Sequence, residues 1–101
     1  MIKALVASAK IRIKERDDYT CQYCKKKVSG VSCQASHVIP MSAIGQTRLA
    51  FDDNNIKVLC AYHHKQWWHS NPIAATEWFR STFPDRYSYL MSAVLDRKRI
   101  Q

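Results

Sequence analysis

Glycine, proline and acidic residues are scarce in this chain of 101 residues. It has two glycines and three prolines, and its 8 acidic side chains are outnumbered by 16 lysines and arginines. A disordered chain would have fewer aromatic residues than the 11% found here. No apolar run is long enough to cross a membrane. These absences predict one folded domain, residues 1–101, and no membrane partner.

The excess of basic residues predicts an anionic partner. The formal net charge is +8, and because the neutralisation of phosphates drives nucleic-acid binding, nucleic acid is the first candidate. The alternative is an ordinary solvated basic surface. The apolar stretch before Lys10 is too short for a secretory signal, so we expect a cytoplasmic protein. In that compartment cysteines bind metal more often than they form disulfides.

Hydrophobic periodicity predicts an amphipathic helix at residues 2–16, where apolar side chains recur at helical spacing. Residues 11–13 also alternate as a strand would. Farther along, β-forming residues flank the turn signal Ser29-Gly30, and they predict a hairpin region over residues 19–38.

The second half of the chain begins with a predicted long loop at residues 40–55, marked by Pro40 and a polar run. Loops of this length are usually functional or disordered. Proline positions and apolar spacing then predict the remaining elements. These are a strand at 56–59, a helix from about 61 to before Asn71-Pro72, and helices at 76–83 and 86–98.

Two short pairs of metal-ligating residues predict a zinc site. Cys21-x-x-Cys24 is followed much later by Cys60-x-x-His63, and each pair can close on a tetrahedral ion from one turn. The second pair is expected at the start of a helix, where the N-terminal dipole favours thiolate. Scattered buried residues or a disulfide are the alternatives. Cys33 is left over and is expected in the core, with zinc ligation as its alternative role.

Three further segments follow one another in a distinctive order. Ala35-Ser-His-Val-Ile-Pro40 places a histidine at the end of a strand, Asp52-Asp-Asn-Asn55 lies in the loop, and Leu59-Cys-Ala-Tyr-His-His64 opens a helix. Together with Arg16-Asp-Asp-Tyr-Thr-Cys-Gln-Tyr-Cys24, this order resembles the zinc-bearing branch of the HNH endonucleases of phages and bacteria. The resemblance covers about residues 11–72. It implies an α+β fold with a ββα-metal, treble-clef-like core, flanked by C-terminal helices at 73–98.

The resemblance also implies roles for individual residues. His37 matches the first histidine of the family pattern and is expected to activate a water against DNA phosphodiester bonds, a task that suits a group titrating near neutral pH. Asn55, with Asn54 as its rival, orients His37 or fixes the loop. His64 binds a catalytic divalent ion, Mg²⁺, Mn²⁺ or Ni²⁺, which stabilises the developing charge. His63 completes the structural zinc site.

Ser36 departs from the family pattern. Many members have an acidic residue or a histidine just before the base, as a second metal ligand, and serine is a poor ligand. Gln34, Asp52 or Asp53, or phosphate oxygens and water, are the expected substitutes. His69 follows on the predicted helix, where its spacing of five from the metal-binding histidine puts it only partly on the same face.

Basic and aromatic side chains complete the expected surface. Arg48 and the run Lys25-Lys26-Lys27 are predicted to contact phosphate, while a loop anchor and a solvated surface are the respective alternatives. A set of aromatic residues is expected to pack in the core rather than to stack on bases: Trp67, Trp68, Trp78, Phe79 and Phe83.

These patterns lead to functions of different classes. The first is a metal-dependent DNA endonuclease with a structural zinc and no small-molecule cofactor. The second is a zinc-stabilised nucleic-acid-binding module without catalysis, which Ser36 favours and the joint presence of His37, Asn55 and His64 disfavours. A protein-binding treble-clef module is a third reading, which the net charge disfavours. None of these patterns predicts an oligomeric state.

Overall fold

The polypeptide folds as helices packed around a two-stranded sheet. This computed structural model describes residues 2–44 and 47–100, so Gly45 and Gln46 of the predicted loop lie outside the described residues. The elements are α1 Ile2–Arg16, β1 Gln34–His37, α2 Met41–Ile44, β2 Ile56–Leu59, a π-helix His63–Trp68, α3 Pro72–Thr82 and α4 Pro84–Ile100. Within these ranges, no helix combines the length and the apolar character needed to cross a membrane. The predicted α+β class is confirmed.

Helix α1 is the helix predicted for residues 2–16. Ile13 is fully buried whereas Ile11 is 62% exposed, so the strand alternative for this segment is wrong. Directly after the helix, the buried carboxylate of Asp17 accepts the Val58 N–H at 2.9 Å. This hydrogen bond ties the end of α1 to β2 and satisfies a buried backbone donor.

The hairpin predicted over residues 19–38 forms only as a tight knuckle. Thr20 and Lys27 make an isolated antiparallel bridge, and Lys25 between them has a left-handed backbone conformation, φ 66°. A 3-10 turn at Gly30–Ser32 then separates the knuckle from β1. The hairpin prediction was wrong about the pairing of β1, which does not pair with the knuckle. The lysine-rich knuckle offers β1 no apolar face to bury, whereas β2 does.

Strands β1 and β2 are antiparallel, with Gln34 opposite Leu59 and His37 opposite Ile56. All four residues of β2 are buried, and the strand contacts α1. Burial on both faces explains why its sequence is apolar without alternating, with Lys57 as the exception. The predicted strand at 56–59 is confirmed residue for residue.

The connection between the strands is the predicted loop. Its described residues contain α2 and two 3-10 turns, Arg48–Phe51 and Asp53–Asn55, but no strand. Leu49 and Ala50 of the first turn are buried in the core. The loop is therefore anchored to the body of the protein on the side of α1, which contacts that turn.

The helix predicted from residue 61 begins there and becomes a π-helix at His63–Trp68. Helix α3 starts at Pro72, earlier than predicted, because proline is well suited to the first helical position. Pro84 opens α4 in the same way. Phe79 of α3 and Leu90 of α4 are fully buried, so these helices close the core beside the π-helix.

Candidate metal centre and candidate active site

Cys21, Cys24, Cys60 and His63 form one cluster between the knuckle and the start of the π-helix. Their ligand atoms all lie within 4.8 Å of one another, and His63 Nδ1 is 3.1 Å from Cys60 Sγ. Tetrahedral zinc, with bonds of about 2.0–2.3 Å, separates its ligands by less than about 4 Å, so a small contraction fits the four donors to zinc. All cysteines are free, and Cys33 is buried outside the cluster.

The electrostatics of the thiols suit a bound cation. Burial opposes ionisation of Cys21, but backbone hydrogen bonds from Cys24, Cys60 and Tyr23 outweigh it and lower the pKa of this thiol. Desolvation, and then the neighbouring Cys21 and Cys60, raise the pKa of Cys24. Crowded sulfurs of this kind carry their negative charges together only beside a cation, and zinc binding couples their deprotonation to folding.

Aromatic rings pack against the metal cluster. The ring of Tyr23 lies 4.7 Å from that of His63 and 4.2 Å from that of Trp67, centroid to centroid. The predicted core aromatics all lie in or against the core: Trp67, Trp68, Trp78, Phe79 and Phe83. These contacts hold the His63 ring in place, which favours a preformed metal site.

Three of the four histidines line a single cavity of about 460 Å³. His37 comes from β1, His64 from the π-helix and His69 from its C-terminal end, and Lys10 of α1 lines the same space. No acidic residue is among the described residues of the lining. The fold thus brings Lys10 and His37 to the pair His64 and His69, which is far from both in the sequence.

The His37 ring is oriented by the backbone. Its Nε2 lies 2.8 Å from the carbonyl oxygen of Ala50. Because a carbonyl only accepts, Nε2 carries the proton of the neutral ring and Nδ1 keeps the lone pair. Burial lowers the pKa of His37, the Ala50 hydrogen bond opposes this, and the charges of Lys10 and Lys57 lower it further. The ring is therefore neutral at neutral pH, as a general base must be.

The His64 ring is held by a side chain. Its Nδ1 lies 2.6 Å from Gln34 Oε1, and the amide nitrogen of Gln34 donates to the Val31 carbonyl at 2.9 Å. Nδ1 therefore donates to Gln34, and Nε2 of His64 keeps its lone pair. Burial first, and then the neighbouring His69 and nearby lysines, lower the pKa of His64 to about 4.

The π-helix places His69 beside His64, with ring centroids 4.9 Å apart. Hydrogen bonds in a π-helix run from residue i to i+5, so side chains five apart share a face. The expectation that His69 lies only partly on the same face as His64 assumed a regular α-helix and was therefore wrong. Two imidazoles that line one cavity offer a pair of nitrogen donors to a metal ion.

Asn55, rather than Asn54, is the fully buried asparagine. Its Oδ1 accepts the Ile39 N–H at 2.8 Å, and its Nδ2 donates to the carbonyls of Ile39 and Leu49 at 3.2 and 3.0 Å. Leu49 lies in the turn that orients His37. Asn55 does not line the cavity, so its contacts fit a role in fixing the loop.

Ser36 points away from the cavity. It is fully buried, and its Oγ accepts a hydrogen bond from Lys57 Nζ at 2.9 Å. Successive residues of a strand face opposite sides, so the cavity receives His37 and the interior receives Ser36. The second metal ligand that the resemblance implies at this position is absent.

The residues expected to replace Ser36 as ligands do not line the cavity either. Each makes a hydrogen bond elsewhere: Gln34 to His64, Asp52 to the Tyr89 hydroxyl and Asp53 to Arg12. Phosphate oxygens and water remain the substitutes that this arrangement allows, together with His69.

The predicted phosphate-contacting residues lie on the exposed surface, outside the cavity. Lys27 Nζ is 2.7 Å from a carboxylate oxygen of Asp18. Lys25, Lys26 and Arg48 have no ion-pair partner within the described ranges. Lys25 and Lys26 are therefore available to meet an anion, whereas Arg48 lies beside the Tyr89 hydroxyl.

Sequence reasoning missed two lysines beside His37. Lys10 reaches the cavity from α1, and Lys57 is fully buried in β2. Lys57 carried a signal, because a charged residue stood in a strand predicted to be buried. Lys10 carried none, since its approach to His37 depends on how α1 docks.

Comparison with known proteins identifies no relative. The sequence matches no family model, no curated protein is significantly similar to it, and no solved structure matches it. The fold and the site define a small α+β protein with a Cys3His cluster that could hold a metal ion.

Proposed function

We propose that the chain is a metal-dependent DNA endonuclease of the HNH family, with a ββα-metal core and one structural zinc. The observation that carries the proposal is the cavity shared by His37, His64 and His69. Two antiparallel strands followed by a helix supply these residues in the order that the resemblance implies. The Cys3His cluster matches the zinc site that is typical of the zinc-bearing branch of this family.

His37 is the proposed general base. Its Nδ1 takes a proton from a water whose oxygen attacks the phosphorus, while the bond from phosphorus to the leaving oxygen breaks. The Ala50 carbonyl fixes the ring during this transfer. General-base catalysis of this kind contributes about 10²–10⁴-fold to a rate.

His64, through Nε2, and His69 are the residues that would hold the catalytic ion. The donor set fits, because His64 is locked by Gln34 with one nitrogen free and His69 lies next to it. A divalent ion bound there supplies Lewis-acid stabilisation of charge on the phosphate oxygens. Two protein ligands would leave such an ion able to bind substrate oxygens.

A plasmid-nicking assay tests the proposal. Zinc-loaded protein is incubated with supercoiled DNA and Mg²⁺, Mn²⁺ or Ni²⁺, with a chelator control. Conversion to nicked or linear DNA that requires added ion and His37 supports the endonuclease. No cleavage with any of the three ions, despite binding to DNA, contradicts it.

We expect Ni²⁺ to support cleavage at lower concentrations than Mg²⁺. Imidazole ligands suit nickel, whereas magnesium prefers oxygen donors, and the described lining of the cavity has no carboxylate. The measurement is the ion concentration that gives half-maximal nicking. Equal or better use of Mg²⁺ would show that the ion is held by other groups.

Gln34→Ala tests the same metal site through the residue that orients His64. Removing the residue that orients a metal-binding histidine costs about 10–100-fold in metal affinity, so the half-maximal Ni²⁺ concentration should rise by that factor. Gln66→Ala, an exposed residue of the same π-helix, should leave it unchanged.

DNA binding is expected to weaken steeply with salt, because a chain of net charge +8 releases counterions from the phosphates it contacts. Replacing both Lys25 and Lys26 with alanine should lower the slope of log K against log salt by about 1–2. Lys27→Ala is the matched control and should change the slope less, since Lys27 is already paired with Asp18. A flat salt profile for the unmodified chain counts against nucleic acid as the partner.

A zinc-stabilised DNA-binding module without catalysis is the second candidate. The observation that favours it is the burial of Ser36 against Lys57, which leaves the cavity without a ligand at that position. In that case DNA binding and its salt dependence persist, while nicking is absent with every ion.

A further inference from the structure

A buried lysine lies directly behind the candidate active site. Lys57 is fully buried, and its Nζ lies 3.3 Å from the centroid of the Trp68 ring. Trp68 lines the cavity that contains His37. Lys57 also lies opposite Ser36 in the sheet, one residue from the proposed base.

The surroundings of Lys57 are those of an ammonium group. Its Nζ donates to Ser36 Oγ at 2.9 Å and lies 3.5 Å from the Ser36 carbonyl and 3.4 Å from the His37 carbonyl. Two carbonyls, a hydroxyl and the face of an indole all accept from or attract a cation. Burial lowers the pKa of Lys57 well below its usual range, Arg86 lowers it further and Asp17 opposes this, whereas the contacts of Nζ favour the charged form.

A purely structural role does not require this charge. An apolar side chain of similar length would fill the space without the cost of burying an ammonium. No carboxylate forms an ion pair with Lys57 in the part of the chain that is described. Asp17, the acid whose charge acts on Lys57, is engaged with Arg16 and the Val58 N–H.

We infer that Lys57 is a positioning residue for the cleavage reaction: its ammonium group holds the strand end that carries His37 and places a positive charge next to His37. The inference rests on the proposed role of His37 as the base. It assigns a function to a residue that touches neither substrate nor ion.

The sign of the effect follows from the charges that face His37. Lys10 approaches from α1, Lys57 lies next to His37 in β2, and His64 and His69 line the same cavity. A buried cation disfavours a second cation nearby. Loss of the Lys57 charge therefore makes His37 easier to protonate, and the acid limb of the pH–rate profile moves to higher pH.

The test compares Ser36→Ala with the double variant Ser36→Ala/Lys57→Met. The double variant removes both partners of the buried hydrogen bond, which is close to neutral for stability, while the single variant keeps the charge. We expect the midpoint of the acid limb to rise by about 0.5–1 pH unit in the double variant alone. The His37 imidazole resonance, assigned by its loss in His37→Gln, should titrate with the same shift.

The titration is recorded on the zinc-loaded chain without added second ion, so it does not depend on cleavage. If the unmodified chain does not cut DNA but His37 titrates with the expected shift, the proposed function fails and the action of Lys57 on His37 stands. An unchanged titration in a folded double variant overturns the inference. If the double variant fails to fold, the test uses Lys57→Gln, which removes the charge but keeps a donor for Ser36 Oγ. The same shift of the His37 titration is then required of Lys57→Gln.

Discussion

His37→Ala is expected to slow DNA nicking by about 10²–10⁴-fold, the usual contribution of a general base. The reason is that, among the described side chains, only His37 is held by the Ala50 carbonyl through one ring nitrogen while the other ring nitrogen keeps its lone pair. The nicking rate at saturating divalent ion measures this effect. Loss of one partly buried hydrogen bond costs about 0.5–1.5 kcal/mol, so the melting temperature falls by only a few degrees and the variant stays folded.

His37→Gln separates the proton transfer from positioning. The glutamine amide can still donate to the Ala50 carbonyl, but it has no basic nitrogen. It should fold with a melting temperature closer to that of the unmodified chain and nick as slowly as His37→Ala. Wild-type cleavage by either variant would remove His37 from the mechanism.

Cys21→Ala is expected to release the zinc and to lower the melting temperature sharply. Closed zinc sites in small domains contribute apparent binding energies of about 10–16 kcal/mol that appear as folding energy. Cys21 is fully buried and supplies one of four donors. Elemental analysis gives the zinc content, and thermal melting gives the stability.

Cys33→Ala is the matched control for the zinc prediction, since Cys33 is another buried cysteine but lies outside the cluster. It should keep a full equivalent of zinc and lose only the stability of a small core truncation. Equal loss of zinc in both variants would show that the cluster is not the binding site.

Adjacent histidines are expected to behave differently. His63 Nδ1 faces Cys60 Sγ at 3.1 Å, whereas His64 Nδ1 faces Gln34 Oε1 at 2.6 Å. His63→Ala should therefore lose zinc and stability, while His64→Ala should keep the zinc, melt nearly unchanged and lose cleavage. The reverse pattern would mean that the two histidines have each other's role.

Local sequence patterns were sufficient for several elements and for the metal cluster. Residues 2–16 and 56–59 carry strong apolar patterns, so their helix and strand formed as predicted. The pairs Cys21-x-x-Cys24 and Cys60-x-x-His63 contain their own geometry, because each pair fits one turn around a tetrahedral ion. The apolar and aromatic residues of the core were likewise recognisable from their type.

Other features depended on contacts between distant segments. β1 pairs with β2 and not with the knuckle, because strand pairing depends on which face is buried in the final packing. The π-helix, which sets His69 beside His64, has no local signature in the residues that form it. The sequence showed that position 36 has a serine, but not that this serine accepts a buried hydrogen bond from Lys57.

The sequence by itself determined the α+β class, the four residues that could hold a metal ion and the identity of the histidines, because residue type and spacing carry that information. Only the tertiary structure decided that His37, His64 and His69 share one cavity, that Ala50 orients the first of them, and that Lys10 and Lys57 lie nearby. Those relations join α1, both strands and the π-helix. They arise when these elements pack together, and no short stretch of sequence contains them.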